Sequence, residues 1–120
     1  MNVAIIGASD KPDRFSYQAV KLLQAKGHRV YPVHQRIKAI EGTPVFASIK
    51  DIPDAIDTIS MYVAADISDA LTADILNCHP QRIIFNPGAE NPNLAAQAQS
   101  KGIKTIEDCT LVMLRTGQFS

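Results

Sequence analysis

A short turn of small and polar residues follows an apolar run of four residues near the start of the chain. The turn reads Gly7-Ala8-Ser9, and Lys11 comes two residues later. Gly7 allows a sharp turn, and small side chains let a ligand approach backbone N–H groups at the start of a helix. A phosphate group would find N–H donors, the Ser9 hydroxyl and Lys11 together. The alternative is an ordinary strand-to-helix turn in which a polar side chain satisfies its own backbone.

This turn does not carry either of the common nucleotide-binding fingerprints. The second and third glycine positions of G-x-G-x-x-G are Ser9 and Pro12, and no Gly-Lys-Ser/Thr sequence is present. An NAD-binding domain also needs a carboxylate after its second strand to hold the ribose diol. Residues 31–38 contain no carboxylate but carry Arg36 and Lys38. These cations suit a ribose that bears its own phosphate, as in NADP or coenzyme A, or they are solvated surface charges.

Runs rich in Val and Ile alternate with stretches of helical spacing along the chain. Five runs have strand length, and they cover residues 2–6, 29–33, 58–63, 82–85 and 103–106. Apolar residues at helical spacing occupy residues 19–23, 70–76 and 94–98, and a last helix is predicted over about residues 110–114. Residues 40–57 are predicted to form a connection of little regular structure, with one helical turn near Ser48. Residues 115–120 are predicted to be a tail.

The predicted helix boundaries have their own signals. Ser68 and Asn93 are predicted N-caps, and Lys26-Gly27 and Lys101-Gly102 are predicted helix ends. Strands and helices that alternate with such short connections require right-handed crossovers, and hence a mainly parallel sheet. The predicted fold is therefore α/β, with a three-layer, doubly wound, mainly parallel five-stranded sheet of Rossmann-like type. Ligands are expected at the carboxyl ends of its strands.

Composition and charge restrict the classes of protein and partner. The length of 120 residues and the hydrophobic fraction of 46% suit one domain, and residues 1–120 are expected to form it alone. Twelve basic residues balance twelve acidic ones, which gives no positive field for nucleic acid or a membrane surface. No stretch approaches the roughly 20 apolar residues of a membrane span. Cys78 and Cys109 have neither disulfide nor zinc spacing, which favours the cytoplasm. A homo-oligomer is compatible with the sequence.

Four motifs occur together and in a characteristic order. They are VAIIGAS at residues 3–9, DRFSY at 13–17, VYPV at 30–33 and NPGAEN at 86–91. The chain thereby resembles the small stand-alone coenzyme A-binding domain proteins, similar to the N-terminal domain of the succinyl-CoA synthetase alpha subunit. The resemblance runs from about residue 2 to residue 113. It implies coenzyme A or an acyl-CoA as the cofactor.

The resemblance also implies a set of contacts with the cofactor. The first turn and helix start would receive the phosphates through Gly7, Ala8, Ser9, Lys11, Phe15, Ser16 and Tyr17. The loop after the second strand would follow the adenosine side with Pro32, Val33, His34 and Arg36. The ends of the third and fourth strands would add Val63, Ala65, Asn86, Pro87 and Gly88. Two departures from the family stand out, because His34 replaces the usual Asn and the prolines usual near Val63 are missing.

The functional hypothesis is a protein that holds coenzyme A or an acyl-CoA by its phosphates and performs no chemistry of its own. No nucleophile, base and orienting acid are assembled in the sequence, and no carboxylate spacing resembles a metal site. Two alternatives stay open. One is a small NADP-dependent or acyl-transferring enzyme that borrows residues across an oligomer interface. The other is a thiol-redox regulator that acts through Cys109.

Overall fold

The computed structural model describes residues 1–120 and consists of seven strands and four α-helices. The strands are β1 (Asn2–Ile6), β2 (Arg29–Val33), β3 (Ala39–Ile40), β4 (Thr43–Pro44), β5 (Thr58–Met61), β6 (Arg82–Phe85) and β7 (Lys104–Glu107). The helices are α1 (Phe15–Ala25), α2 (Ala65–Asn77), α3 (Pro92–Ser100) and α4 (Thr110–Arg115). Five of the strands form one sheet, in the order β2-β1-β5-β6-β7.

Every neighbouring pair of strands in this sheet is parallel, which confirms the predicted Rossmann-like α/β fold. Alternate residues of β1 enter two separate cores, since successive side chains of a strand point to opposite faces. Val3 and Ile5 pack with α1 and α4, whereas Ala4 and Ile6 pack with α2 and α3. The sheet is therefore covered on both faces. The strands β1, β5 and β6 are almost entirely buried, as expected of a parallel sheet between two helical layers.

Two predicted helix starts are wrong. The helix α2 begins after Ala64 rather than at Ser68, and α3 is capped by Asn91 rather than Asn93. Ser68 is fully buried and accepts a hydrogen bond from the Asn91 side chain, so its hydroxyl serves the packing of two helices instead of a helix start. Pro92 at the first position of α3 explains why the cap lies directly before it.

Other predicted boundaries agree with the structure or differ by one or two residues. The helices α1 and α3 have Lys26 and Lys101 as their C-caps, and the glycine after each has a positive φ angle, as predicted. The third strand of the predicted set ends at Met61 instead of residue 63. The last one covers Lys104–Glu107 instead of residues 103–106.

The connection between β2 and β5 has more regular structure than predicted. It contains a hairpin of β3 and β4, whose turn residues Glu41 and Gly42 have φ angles of 45° and 83°. Positive φ at both positions is the geometry of a tight two-residue hairpin turn. The predicted helical turn is present as a 3-10 turn over Ile49–Asp51, and the Ser48 side chain caps it.

The predicted tail is anchored rather than free. Phe119 is almost completely buried at the amino edge of the sheet. Its ring stands edge-on to the ring of His28, with the centroids 5.2 Å apart, and the Arg82 guanidinium lies 4.5 Å from its centroid. Arg82 also donates a hydrogen bond to the Phe119 carbonyl. No helix in the structure combines the length and the apolar character that crossing a membrane requires.

Candidate functional site

The turn after β1 is held tightly to the ends of two neighbouring strands. The N–H groups of Gly7 and Ala8 both donate to the Val33 carbonyl, at 3.2 Å each. Gly7 has a φ angle of 88°, and a Cβ atom built on it would lie 2.7 Å from Cγ1 of Val63. A glycine is therefore required here both by the backbone conformation and by the close approach of the segment after β5. Ala8 is buried and its N–H is already bonded to Val33, so it supports the turn from within the protein.

The start of α1 has hydrogen-bond donors that the chain leaves without a partner. No hydrogen bond within the protein involves the N–H groups of Phe15, Ser16 and Tyr17. Arg14 occupies the N-cap position but its side chain makes no capping bond, and the first turn of α1 contains no acidic residue. Unpaired N–H groups and the positive end of the helix dipole together favour an anion at this place.

The turn between β1 and α1 partly satisfies itself, as the alternative interpretation of Ser9 expects. The Ser9 hydroxyl oxygen accepts a hydrogen bond from the N–H of Lys11 at 3.1 Å. The hydrogen of that hydroxyl stays free to donate. The Arg14 N–H donates to the Lys11 carbonyl, and the side chains of Lys11 and Phe15 are exposed. The turn thus combines internal bonds with groups that face the solvent.

The loop after β2 brings two cations toward the same helix. Arg36 and Lys38 are exposed and form no ion pair. The hairpin that follows them runs along α1, because Gln24 donates to Thr43 at 2.8 Å and Lys21 lies 3.7 Å from Glu41. The loop leaves the sheet at its carboxyl edge, and the hairpin beyond it contacts the second half of α1.

Pro32 and Val33 contribute to this edge through their backbone. Both are buried, and their carbonyls accept hydrogen bonds from Phe46 and from the turn after β1. Strand β2 lies at the edge of the sheet, and the backbone nitrogen of Pro32 faces away from β1. The absence of an N–H on this proline therefore costs no pairing bond. Their role in the structure is to fix the position of the two turns rather than to offer side chains.

Asn86 has a structural role that the resemblance did not reveal. Its side-chain amide donates to the Ser60 hydroxyl at 2.9 Å and to the Met61 carbonyl at 2.8 Å. Its side-chain oxygen accepts from the N–H of Thr110 at 2.8 Å. Both amide hydrogens are therefore used inside the protein, and Asn86 is almost fully buried. Only Pro87 and Gly88 of this turn are exposed.

The second asparagine of the same motif joins two helices. The Asn91 side-chain oxygen accepts from Leu94 N–H at 3.1 Å, which caps α3. Its amide group donates to the hydroxyl of Ser68 at 2.7 Å and to the carboxylate of Asp69 at 2.9 Å. The start of α2, with Ala65, is thereby held beside the start of α3. Asn91 thus stabilises one wall of the carboxyl edge without facing a ligand.

Comparison with known proteins assigns the family. The model of the CoA binding domain family matches residues 1–115. The chain belongs to this family. The resemblance seen in the four sequence motifs is therefore confirmed over almost the whole length of the protein.

Individual relatives of this CoA-binding domain range from whole-chain to partial matches. The uncharacterized protein YneT of Bacillus subtilis (strain 168) is 26% identical over 106 residues, which cover 88% of this chain and 78% of YneT. The alpha subunit of acetate–CoA ligase (ADP-forming) II of Pyrococcus furiosus is 38% identical over 62 residues, 51% of this chain but 14% of that subunit. A crystal structure of an uncharacterized protein is similar with a TM-score of 0.89 and 31% identity, covering 98% of this chain and 97% of the other.

The remaining feature of the CoA-binding domain at this edge is Tyr62, a partly buried tyrosine with a buried hydroxyl, which sequence reasoning missed. Burial, followed by the nearby Cys109 thiol, raises the pKa of Tyr62 from its ordinary value of 10.0 to about 12. Its hydroxyl is buried and makes no hydrogen bond of good geometry, although the hydroxyls of Ser60 and Thr110 lie close enough to lower its pKa slightly. The two-residue spacing of Ser60 and Tyr62 on one strand was the available signal for their common face.

The two cysteines differ in their surroundings. Cys78 packs against the core on the α2 side and its thiol donates to the Asp74 carbonyl, and burial raises its pKa. Cys78 therefore has a packing role in the structure. Cys109 is half-buried at the N-cap of α4, and its side chain makes no capping bond. No group of three or more His, Cys, Asp or Glu side chains could hold a metal ion.

Two depressions of the surface lie away from these turns. One of about 750 Å³ lies between α2 and α3, and one of about 400 Å³ lies between α2 and the 3-10 turn. Neither includes a residue of the turn after β1 or of the loop after β2.

Proposed function

We propose that the protein binds coenzyme A or an acyl-CoA, with residues 1–120 acting as a single CoA-binding domain. The phosphates would lie on the turn between β1 and α1. The observation that carries this proposal is the uncapped start of α1, where three consecutive N–H groups have no partner in the protein. Membership of the CoA binding domain family supports the choice of ligand.

The surroundings of this helix start suit a diphosphate better than a monoanion. The Ser9 hydroxyl can donate a hydrogen bond and the exposed Lys11 adds a cation within the same turn. Hydrogen bonds to a charged group are roughly twice as strong as those between neutral groups, so donors that meet on one phosphate contribute most of the affinity.

The loop after β2 would recognise the 3′-phosphate of the ribose. Arg36 and Lys38 have no ion-pair partner, and no carboxylate follows β2 to bind a free ribose diol. A phosphate on the ribose would meet two cations there, whereas the diol of NAD would lack an acceptor for its hydroxyl hydrogens. This loop therefore favours coenzyme A over its 3′-dephospho form and over NAD.

The proposed protein holds its ligand without reacting with it. Tyr62 keeps its proton because its pKa is raised to about 12, and its hydroxyl is buried among Ser60 and Thr110. No histidine or carboxylate in the protein is hydrogen-bonded to a hydroxyl or thiol nucleophile other than Asp54, which accepts from Tyr31. The enzyme and Cys109-regulator alternatives are not favoured by a specific contact.

A calorimetric titration at one salt concentration tests the proposal. Coenzyme A, 3′-dephospho-coenzyme A, NADP and NAD are compared on the purified protein. We expect saturable binding of coenzyme A, weakened about tenfold without the 3′-phosphate. Absence of coenzyme A binding, or binding of NADP alone, would overturn the proposal.

Two double variants with the same charge change localise the site. Arg36→Ala with Lys38→Ala should weaken coenzyme A about tenfold or more and abolish the preference for the 3′-phosphate. Lys26→Ala with Lys101→Ala removes two cations from the ends of α1 and α3, at the opposite edge of the sheet. This control should bind coenzyme A like the wild type. Equal losses in both variants would mean that the charge of the whole protein, and not this loop, attracts the ligand.

A further inference from the structure

The His34 side chain folds the loop that carries the two cations. Its Nδ1 atom lies 3.0 Å from the backbone nitrogen of Arg36 and 3.2 Å from that of Ile37. Both of those nitrogens donate, so Nδ1 accepts two hydrogen bonds. A histidine that accepts at Nδ1 carries its hydrogen on Nε2 when it is neutral. One ring atom therefore satisfies two of the backbone donors of this loop.

The rest of the loop is anchored at both ends. The His34 N–H donates to the Phe46 carbonyl at 2.9 Å, and the Lys38 carbonyl accepts from Val45 N–H at 3.0 Å. Ile37 packs against the core on the α1 side while Arg36 and Lys38 stay exposed on either side of it. The conformation between the two anchors depends on the bonds to the His34 ring.

We propose that His34 is a positioning residue for ligand specificity, which holds Arg36 and Lys38 in place to bind the 3′-phosphate. The inference rests on the proposed function. It differs from a direct contact, in which the His34 ring would bind the phosphate as a cation. An asparagine could replace His34 in the positioning role, because a short side-chain oxygen accepts from the N–H two residues later in the chain.

The two roles of His34 have opposite responses to acid. Protonation converts Nδ1 from an acceptor into a donor and breaks both bonds to the loop. A positioning role therefore predicts weaker binding when the ring is protonated, whereas a direct cationic contact predicts stronger binding. Charged side chains on the segments bonded to this loop are Arg36 and Lys38 on the loop itself and Asp10 and Lys11 on the turn after β1. The segment 45–46 carries none.

Three proteins distinguish these roles: the wild type, His34→Asn and His34→Ala. Titrations with coenzyme A and 3′-dephospho-coenzyme A are run at about pH 7.5 and about pH 5.5, a range over which histidines change charge. The ligand phosphate also titrates near pH 6, but it does so equally for all three proteins. His34→Asn is thus the matched control for the pH effect. Thermal unfolding of each protein verifies that it is folded at both pH values.

At about pH 7.5 we expect His34→Asn to bind coenzyme A within about twofold of the wild type. His34→Ala should bind it about fivefold more weakly, and it should lose most of the preference over the 3′-dephospho form. Weaker binding by the wild type than by His34→Asn at about pH 5.5 is the result that the positioning role expects. A gain of affinity by the wild type relative to His34→Asn would overturn the positioning role. An unchanged phosphate preference in His34→Ala would do the same.

Failure of the inference is separable from failure of the proposed function. If wild-type protein binds coenzyme A with a preference for the 3′-phosphate and His34→Ala does so equally, only the positioning role of His34 is refuted. If wild-type protein does not bind coenzyme A at about pH 7.5, the proposed function fails and the inference falls with it. Imidazole nitrogen chemical shifts of the free protein report the tautomer, and hydrogen on Nδ1 at that pH would refute the loop geometry without any ligand.

Discussion

The turns after β1 and after β6 both lie at the carboxyl edge of the sheet and each belongs to one of the four family motifs, but they use their polar groups differently. In the turn after β1, the helix that follows begins with three N–H groups that have no partner. In the turn after β6, both amide hydrogens of Asn86 are bonded inside the protein. Both turns contain a glycine of nearly equal φ, 88° at Gly7 and 89° at Gly88. The turn after β1 (the open turn) therefore leaves donors free at the helix start, whereas the turn after β6 (the closed turn) uses the Asn86 amide inside the protein.

The largest expected effect comes from adding a methyl group to the open turn. Gly7→Ala forces a non-glycine residue into positive φ and places Cβ 2.7 Å from Val63 Cγ1. Strain and crowding together should lower the free energy of unfolding by about 3 kcal/mol, and coenzyme A binding should be lost. Chemical denaturation and calorimetry measure the two effects.

Gly88→Ala is the matched control for this change. Its φ is almost the same, but a Cβ there would meet nothing within 4 Å. It should lower the free energy of unfolding by about 1 kcal/mol, from backbone strain alone. Equal losses of stability in the two variants would show that crowding by Val63 contributes nothing.

Removal of the Asn86 side chain in the turn after β6 should lower stability and leave the affinity for coenzyme A nearly unchanged. Asn86→Ala leaves the Thr110 N–H and the Met61 carbonyl without their side-chain partner in a buried place. This should lower the free energy of unfolding by about 2 kcal/mol, while the folded protein binds coenzyme A within about twofold of the wild type. Asn93→Ala, at an exposed position of α3, is the control and should change neither quantity. A loss of affinity in Asn86→Ala larger than tenfold, at a temperature where it is folded, would contradict the division between the turns.

In the turn after β1, a smaller effect is expected from Ser9, and it should fall on ligand affinity rather than on stability. Ser9→Ala removes the acceptor for Lys11 N–H and a free hydroxyl donor. Affinity for coenzyme A should fall about fivefold, whereas the free energy of unfolding should change by about 1 kcal/mol or less because the turn is solvated. The exposed Ser100, which donates to Gln97 at the end of α3, supplies the control Ser100→Ala. The prediction fails if Ser9→Ala binds as tightly as this control.

The smallest effect is expected between the two turns, at Tyr62. Because its hydroxyl is buried without a partner, Tyr62→Phe should change the free energy of unfolding by about 1 kcal/mol or less, toward greater stability. Ser60→Ala, which removes a hydroxyl bonded to Asn86 and Thr110, should lower it by about 1 kcal/mol. A marked loss in Tyr62→Phe, measured by the same denaturation, would mean that the hydroxyl has a partner such as a buried water.

The ionisation of Tyr62 gives a separate prediction about alkaline pH. Its pKa is raised from 10.0 to about 12 in the folded protein. Between these values the unfolded chain loses the proton and the folded protein keeps it, so the stability contributed by neutral Tyr62 is lost as pH rises from 10.0 to about 12. Ultraviolet absorbance of tyrosinate should show one residue that ionises near pH 12 in the wild type and not in Tyr62→Phe. Ionisation of all tyrosines together near pH 10.0 would contradict it.

Much of the sheet could be predicted because parallel strands buried on both faces leave a simple trace in sequence. The bounds of β1, β2 and β6 agree with prediction to the residue, since each is a continuous apolar run that ends at a turn. The starts of α2 and α3 could not be predicted as well. Ser68 is a good N-cap residue by type, but Asn91 from a distant part of the chain uses its hydroxyl. Local preference was overridden by a contact between helices.

The candidate site also has features that the sequence predicted and features that it did not. Residue types and spacing were enough to indicate a phosphate turn at Gly7 and the cations Arg36 and Lys38. They did not indicate the hydrogen bonds that decide which polar groups remain available to a ligand. The Asn86 amide and Nδ1 of His34 are both occupied by partners within the protein, and the partners of Asn86 lie more than 20 residues away in the chain. A motif therefore predicts where a residue lies. Whether its polar groups are available to a ligand depends on the fold.

The sequence by itself determined the alternation of strands and helices, the glycine-dependent turn after β1 and the absence of a carboxylate after β2, because each of these depends on neighbours within a few residues. Only the tertiary structure decided that the N–H groups of Phe15, Ser16 and Tyr17 stay unpaired, that the Asn86 side chain is bonded inside the protein and that Phe119 is buried against Arg82. Hydrogen bonding is a matter of which groups meet in space, and buried groups pair with whatever the fold brings near them.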